Sequence, residues 1–268
     1  MAVKGLTVWM VSDLDRLVPQ VSVIVPFYNS EKYIGACIES LLKADTPVAA
    51  VEYLFVDNGS EDSSRAIAAN FDRIQILEEQ KRGAYAARNL ALRRAKAPII
   101  AFTDADCTVS PDWITTILAA FEERDIAMIV GHCCYPSKAS HAMRWVGAWE
   151  NAKVEYITHH CQSKHRVAYC NNMAVRAELF AELGFFREWQ RAADSEFAHR
   201  LARERPSRGF TFESAMRVTH HEFPRAKERL RRLRVYTGTN AQIEGFRELS
   251  VLQRAAVLAR WLRGAGRD

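Results

Sequence analysis

No apolar run in this chain approaches the ~18 residues that a membrane-crossing helix needs. Met1 to Met10 carry no basic stretch, apolar core and small-residue cleavage site of the kind that marks a secretory leader. The six cysteines (Cys37, Cys107, Cys133, Cys134, Cys161, Cys170) include no CxxC pair and no zinc-finger spacing. Scattered thiols of this kind suit a reducing compartment, so a cytoplasmic protein is expected. His132-Cys133-Cys134 is a poor metal cluster, because adjacent strand residues face opposite sides. Repeats, low-complexity tracts and an evident interdomain linker are also missing. The expectation is therefore one continuous domain over residues 1–268.

What is present is ordinary in bulk and uneven in detail. Of the 268 residues, 49% are hydrophobic and 26% charged, enough for a sizeable core. The net charge of +5 is concentrated: Arg200 to Arg234 holds eleven Lys/Arg against four Asp/Glu, which leaves the remainder of the chain slightly acidic. Such asymmetry calls for an anionic substrate, an acidic lipid surface or nucleic acid. Nucleic acid fits least, since aromatic residues are not interleaved with the basic ones.

The first half alternates strand and helix signals. Val21 to Val25 is a buried strand stopped by Pro26, and Glu31 to Lys43 carries apolar residues at helical spacing. Val51 to Val56, Arg73 to Leu77, Pro98 to Phe102 and Ile126 to Gly131 read as further strands. Asp62 to Asn70 and Ala84 to Ala95 read as the helices between them, and Ser110-Pro111 as a helix start with Ser as N-cap. This alternation predicts an α/β fold with a mostly parallel sheet between helices, and ligands outside the carboxyl ends of its strands. Beyond residue 135 the expected elements are a long helix from Met143 to His160, strand material at Val167–Val175 and Phe210–Val218, and helices at Ala177–Leu183, Asp194–Arg205, Arg225–Tyr236 and Ser250–Arg263.

Chemistry-bearing residues gather at the predicted strand ends. Pro98 to Phe102 runs into Asp104 and Asp106, which share one face of an extended chain. Two adjacent carboxylates repel unless a cation joins them, and Mg2+ or Mn2+ bridged to a substrate phosphate would serve; a solvated turn is the plain alternative. Tyr28, after Pro26, can stack on a planar base or pack in a turn. Asp57-Asn58-Gly59-Ser60 can meet a base edge or simply form an Asx turn. Gly83 to Asn89 opens a helix with small residues behind Lys81 and Arg82, where a phosphate can approach the backbone. His220, within Val218-Thr219-His220-His221, is a candidate third ligand beside Asp106.

Taken in order, Pro26 to Asn29, Val56 to Ser60, Gly83 to Asn89 and Asp104 to Asp106 resemble the family 2 inverting glycosyltransferases of the GT-A fold. The likeness extends to Asn171 to Arg176, to Leu183 to Phe186, and to Ala193 to Phe197, which stands where the family places its general base. The resemblance implies a GT-A, Rossmann-like sheet with a helical C-terminal extension. It divides the chain into a nucleotide half (about 20–131), an acceptor half (about 132–222) and basic helices (about 223–268). It further implies single-sugar transfer from a nucleoside-diphosphate sugar, UDP-sugar foremost, to a carbohydrate, lipid-linked or small-molecule hydroxyl. Asp194 is then the base, with Glu196 as the alternative. Pro26, Tyr28, Asp57, Asn58, Arg82, Arg88 and Asp104 bind the donor, and Asp106 and His220 hold Mg2+ or Mn2+. Asn58, Cys107 and Ala193 differ from the family's usual acidic residues, and the Gln-x-x-Arg-Trp motif of processive members is missing.

Two other readings of the same residues remain. A nucleotide-sugar binding protein would keep the pocket without a working base. A sugar nucleotidyltransferase would need a Gly-rich phosphate loop after the first strand, which Pro26 to Ser30 is not. The basic segment from Arg225 to Arg234 and the stretch from Val251 to Arg263 suit peripheral contact with an anionic membrane at its inner face, or a helix packed on the core with a solvated basic side.

Overall fold

The computed structural model describes residues 18–44, 51–123, 125–160 and 166–222. The cysteine at 161 and the expected helices at Arg225–Tyr236 and Ser250–Arg263 lie outside the described residues. Eight strands form one sheet: β1 (Val21–Phe27), β2 (Val51–Asp57), β3 (Gln75–Glu78), β4 (Ile99–Thr103), β5 (Cys107–Val109), β6 (Ile126–Cys134), β7 (Asn172–Arg176) and β8 (Gly209–His220). Their spatial order is β3-β2-β1-β4-β7-β6-β8-β5. The pairs β1–β2, β1–β4, β2–β3 and β6–β8 are parallel, while β4–β7, β6–β7 and β5–β8 are antiparallel. The expected alternation therefore holds in the first half, and the second half joins it through the reversed strand β7.

Helices cover both faces because the strands are apolar on both sides. Val21, Val23, Val25, Phe55 and Ala101 pack with Ile34, Ile38 and Leu41 of α1 (Ile34–Leu42) and Trp113, Ile114 and Ile117 of α4 (Trp113–Ala120). A short helix, α2 (Ser64–Ala68), adds Ala68 to that side. On the other face Ile24, Leu54, Val56, Ile100 and Phe102 meet α3 (Ala84–Leu92), α5 (His141–His160), α6 (Glu178–Leu183) and α7 (Ala193–Glu204). Phe102, Phe180, Phe186 and Phe197 form an aromatic knot there, with ring centroids 4.8 to 6.2 Å apart. Each such pair contributes about 0.5–1.5 kcal/mol beyond burial.

Several element boundaries differ from expectation, two of them for identifiable reasons. Pro26 does not stop β1, which continues to Phe27. Pairing with β4 ends at Ile24, so a residue without an N–H is tolerated just beyond it. Ser110 is not the N-cap of α4: the Trp113 amide donates to the Ser110 carbonyl (3.1 Å), a turn with Pro111 at its second position, and Asp112 precedes the helix. Val167 to Asn171 are loop, and β7 begins only at Asn172.

Asn172 explains how β6, β7 and β8 are held at this point. Its amide donates to the carbonyls of His132 (3.0 Å) and Met216 (2.7 Å), and its oxygen accepts the Trp113 indole N–H (2.8 Å). Gly131 makes room, since a Cβ there would collide with the Asn172 amide and the Met216 carbonyl. Replacing Asn172 by Ala strands three partners, two of them buried. The expected loss is about 3 kcal/mol, seen as a thermal midpoint lower by roughly 6–12 °C in circular dichroism.

Candidate active site

The carboxyl ends of β2, β1 and β4 lie side by side and carry the loops singled out from the sequence. Pro26 is buried in β1 opposite Val56 and forms part of the wall. Tyr28 is 47% exposed, with the Arg82 guanidinium 4.4 Å from its ring centre. Arg82 also donates to the Asn58 carbonyl (3.2 Å). Asp57 is buried: one oxygen accepts the Ser60 amide (2.9 Å) and the other faces Arg65 (3.4 Å). Asn58 stitches the rim together. Its amide donates to the carbonyls of Glu79 (2.9 Å) and Lys81 (2.8 Å), and its oxygen accepts the Gly83 amide (2.7 Å). Both donors are engaged within the chain, which leaves one acceptor lone pair. Gly83 allows this approach at φ 132°, a backbone conformation that strains any side chain.

The three-residue strand β5 turns the Asp104–Asp106 loop into a site. It runs antiparallel to β8 with Cys107 opposite His220, so Asp106 comes to lie against the end of β8. The His221 amide donates to the Asp106 carbonyl (2.8 Å), and the Asp106 carboxylate meets His220 Nε2 at 3.3 Å. His221 itself turns to Thr108 (2.9 Å), so His220 is the histidine brought to the carboxylate. Burial pushes Asp106 up to about 6; His220 opposes that rise, whereas Asp104 and Glu222 add to it. Cis ligands of an octahedral cation at about 2.1 Å stand about 3 Å apart, so this pair fits one hard divalent ion. The Cys107 sulfur lies 3.8 Å from Asp106, within the same cluster of donor atoms.

Asp104 takes a different partner. Its carboxylate accepts a 2.5 Å hydrogen bond from Arg88, a buried guanidinium on α3. Arg88 also acts electrostatically on Asp194, in the first turn of α7. Asp194 is buried, with one oxygen accepting the Cys170 amide (3.0 Å) and the other its neighbour Ser195's (2.9 Å). Burial raises its carboxyl above the ordinary value, against the pull of those two amides, of Arg88 and of a Tyr85 side-chain hydrogen bond. Ala192, just before the helix, sits at φ 65°, a left-handed conformation costing a non-glycine residue about 1–2 kcal/mol. Glu196 is committed elsewhere: its oxygens meet Arg187 (3.3 Å) and Arg200 (2.9 Å), and Arg200 donates to the carbonyls of Leu183 and Phe185.

Two site residues escaped the sequence reading. Tyr85 lies inside the quoted Gly83–Asn89 stretch, one helical turn before Arg88, a spacing that places both on one face of α3. Cys170 meets Asp194 through its backbone amide and its thiol, and a lone buried cysteine gives no sign in the sequence of that partner.

The profile of Glycosyl transferase family 2 matches residues 22–184. Glycosyltransferase AglE of Haloferax volcanii is 30% identical over 213 residues, 72% of this chain and 68% of that protein. Glycosyltransferase GlyG of Streptococcus pneumoniae is 34% identical over 117 residues, 42% of this chain and 38% of that protein. Among solved structures, the mannosyltransferase PcManGT from Pyrobaculum calidifontis, in complex with GDP-Man and Mn2+, superposes with a TM-score of 0.62 at 21% identity, covering 94% of this chain and 65% of that one. S. aureus TarS 1-349 in complex with UDP-GlcNAc gives 0.61 at 19% identity, covering 77% and 59%. These two likenesses are of fold, and the chain spans less than two thirds of GlyG and of both structures. The chain belongs to glycosyl transferase family 2.

Arg88 ties this arrangement together. In Arg88→Met, Asp104 loses its ion pair and Asp194 a nearby cation. Asp104 is a third exposed, so the expected cost is about 2–3 kcal/mol, below that of a fully buried pair, measured by urea unfolding.

Proposed function

We propose that this chain transfers one sugar, with inversion, from a nucleoside-diphosphate sugar to a hydroxyl acceptor, and that Asp194 is its general base. The observation that carries this reading is the Arg88 bridge. One buried guanidinium links the half-buried Asp104, on the loop that also holds the Asp106–His220 pair, to a buried carboxylate on α7. Two sets of groups thus converge, one suited to a leaving diphosphate and one to an incoming hydroxyl.

The base ring stacks at Tyr28 and Arg82, and the backbone around Asp57 and Asn58 shapes its edge. Asp104 orients the ribose, and Asp106 with His220 would hold Mg2+ or Mn2+. When bound, the ion neutralises charge that grows on the leaving diphosphate. On the other side, Asp194 accepts the acceptor's proton as its oxygen attacks the anomeric carbon in line. The raised carboxyl suits this work, because a base nearer neutrality takes the proton more readily once ionised. UDP-sugars remain the first donors to try. GDP-Man in PcManGT and UDP-GlcNAc in TarS show that both bases occur on this fold, so a thermal-shift screen of UDP-, GDP- and dTDP-sugars with Mn2+ identifies the donor here.

The acceptor is a carbohydrate, lipid-linked or small-molecule hydroxyl. Among the described residues no helix is long and apolar enough to cross a membrane. The cationic run from Arg225 to Arg234 would bring the chain to an anionic lipid surface, at the cytoplasmic face.

In Asp194→Asn, kcat is expected to fall by about 10²–10⁴ with nucleotide affinity unchanged. Equal turnover by the variant would remove the base assignment. The wild-type rate should also drop on acidification at a pH above the usual carboxylate range, since Asp194 works only ionised and burial has raised it. Mn2+ titrations followed by electron paramagnetic resonance test the other side: Asp106→Ala should bind at least about tenfold more weakly, and equal binding would contradict the metal assignment.

A further inference from the structure

We propose that Tyr85 is a positioning residue of the general base, its phenol hydroxyl fixing the Asp194 carboxylate in the orientation that receives the acceptor proton. The inference rests on the reading of Asp194 just given and adds a residue to it. A carboxylate offers about four acceptor positions. In Asp194 the Cys170 amide fills one, the Ser195 amide a second and the Tyr85 side chain a third. These donors come from three separate segments: the loop before β7, the first turn of α7, and α3. Three directions of restraint stop the carboxylate from rotating, and the Cys170 thiol also faces it.

Tyr85 is itself held. It is buried, its ring centre lies 5.7 Å from that of Phe186, and the Arg88 guanidinium carbon lies 5.3 Å from the ring centre. The hydroxyl therefore extends from a fixed ring, and α3 brings two groups to Asp194: a charge in Arg88 and a directional donor in Tyr85. Arg88 also pairs with Asp104, so the helix that touches the donor side orients the base as well. The titratable and charged groups around Asp194 are Arg88 and Tyr85 from α3, Cys170 from the loop, and Asp104 behind Arg88.

Tyr85→Phe keeps the ring and removes only the hydroxyl. A phenol donating to a carboxylate stabilises the ionised form, so its loss must raise the Asp194 titration midpoint. With aspartate carboxyl carbons labelled by 13C in the full chain, and the Asp194 signal identified by its absence in Asp194→Asn, the midpoint in Tyr85→Phe should rise by at least about half a pH unit. Coinciding midpoints would overturn the proposal. Should Tyr85→Phe fail to fold, 3-fluorotyrosine incorporation provides the opposite perturbation. The more acidic phenol donates more strongly, and the Asp194 midpoint should fall; an unmoved midpoint again overturns the proposal. In turnover, Tyr85→Phe should lower kcat about tenfold with donor KM unchanged, whereas an unchanged kcat counts against it. The titration needs neither donor nor acceptor. Its failure is therefore distinct from continued transfer by Asp194→Asn, which would remove the base itself.

Discussion

Arg88 carries a full charge into the interior, and the site is arranged around keeping that charge compensated. A guanidinium cannot shed its proton at any ordinary pH, so burying it requires carboxylates close by. Asp104 answers directly at 2.5 Å and Asp194 answers through space. The same compensation serves Asp194, whose ionised form the cation favours against the effect of burial. Helix α3 thus acts as the strut between the nucleotide side and the base side, anchored by Gly83 against Asn58 at one end. Farther along it, Asn89 exchanges hydrogen bonds with the Phe186 backbone.

The second constraint is topological. Antiparallel strand β7 joins the parallel first half to β6 and β8, and Asn172 clamps that junction. With β8 fixed there, its far end reaches β5, and their pairing places His220 beside Asp106. The Asp106–His220 pair thus depends on a strand of only three residues and on a clamp elsewhere in the sheet.

Much of this was legible in the chain. Uninterrupted apolar runs such as Val21 to Val25 and Ile99 to Phe102 mark strands buried on both faces, and the carboxylates just beyond them mark the rim. Asp194 and the choice of His220 came with the family resemblance. What stayed hidden depended on tertiary contact. Cys107 to Val109 is too short to carry a strand pattern, Asn172 acts through backbones that meet only in the sheet, and Tyr85 looked like filler between alanines. Pro26 misled because a proline stops a strand only where both of its edges are paired. Glu196, the alternative base on sequence grounds, has both its oxygens engaged by Arg187 and Arg200.

The proposed roles of Asp194 and of the Asp106–His220 pair make a stereochemical prediction: the acceptor oxygen enters on the face away from the leaving group. The most direct measurement is the anomeric configuration of the transferred sugar, read by proton NMR of the product formed from an α-linked donor. The account predicts a β-linked product. An α-linked product, with configuration retained, would contradict it.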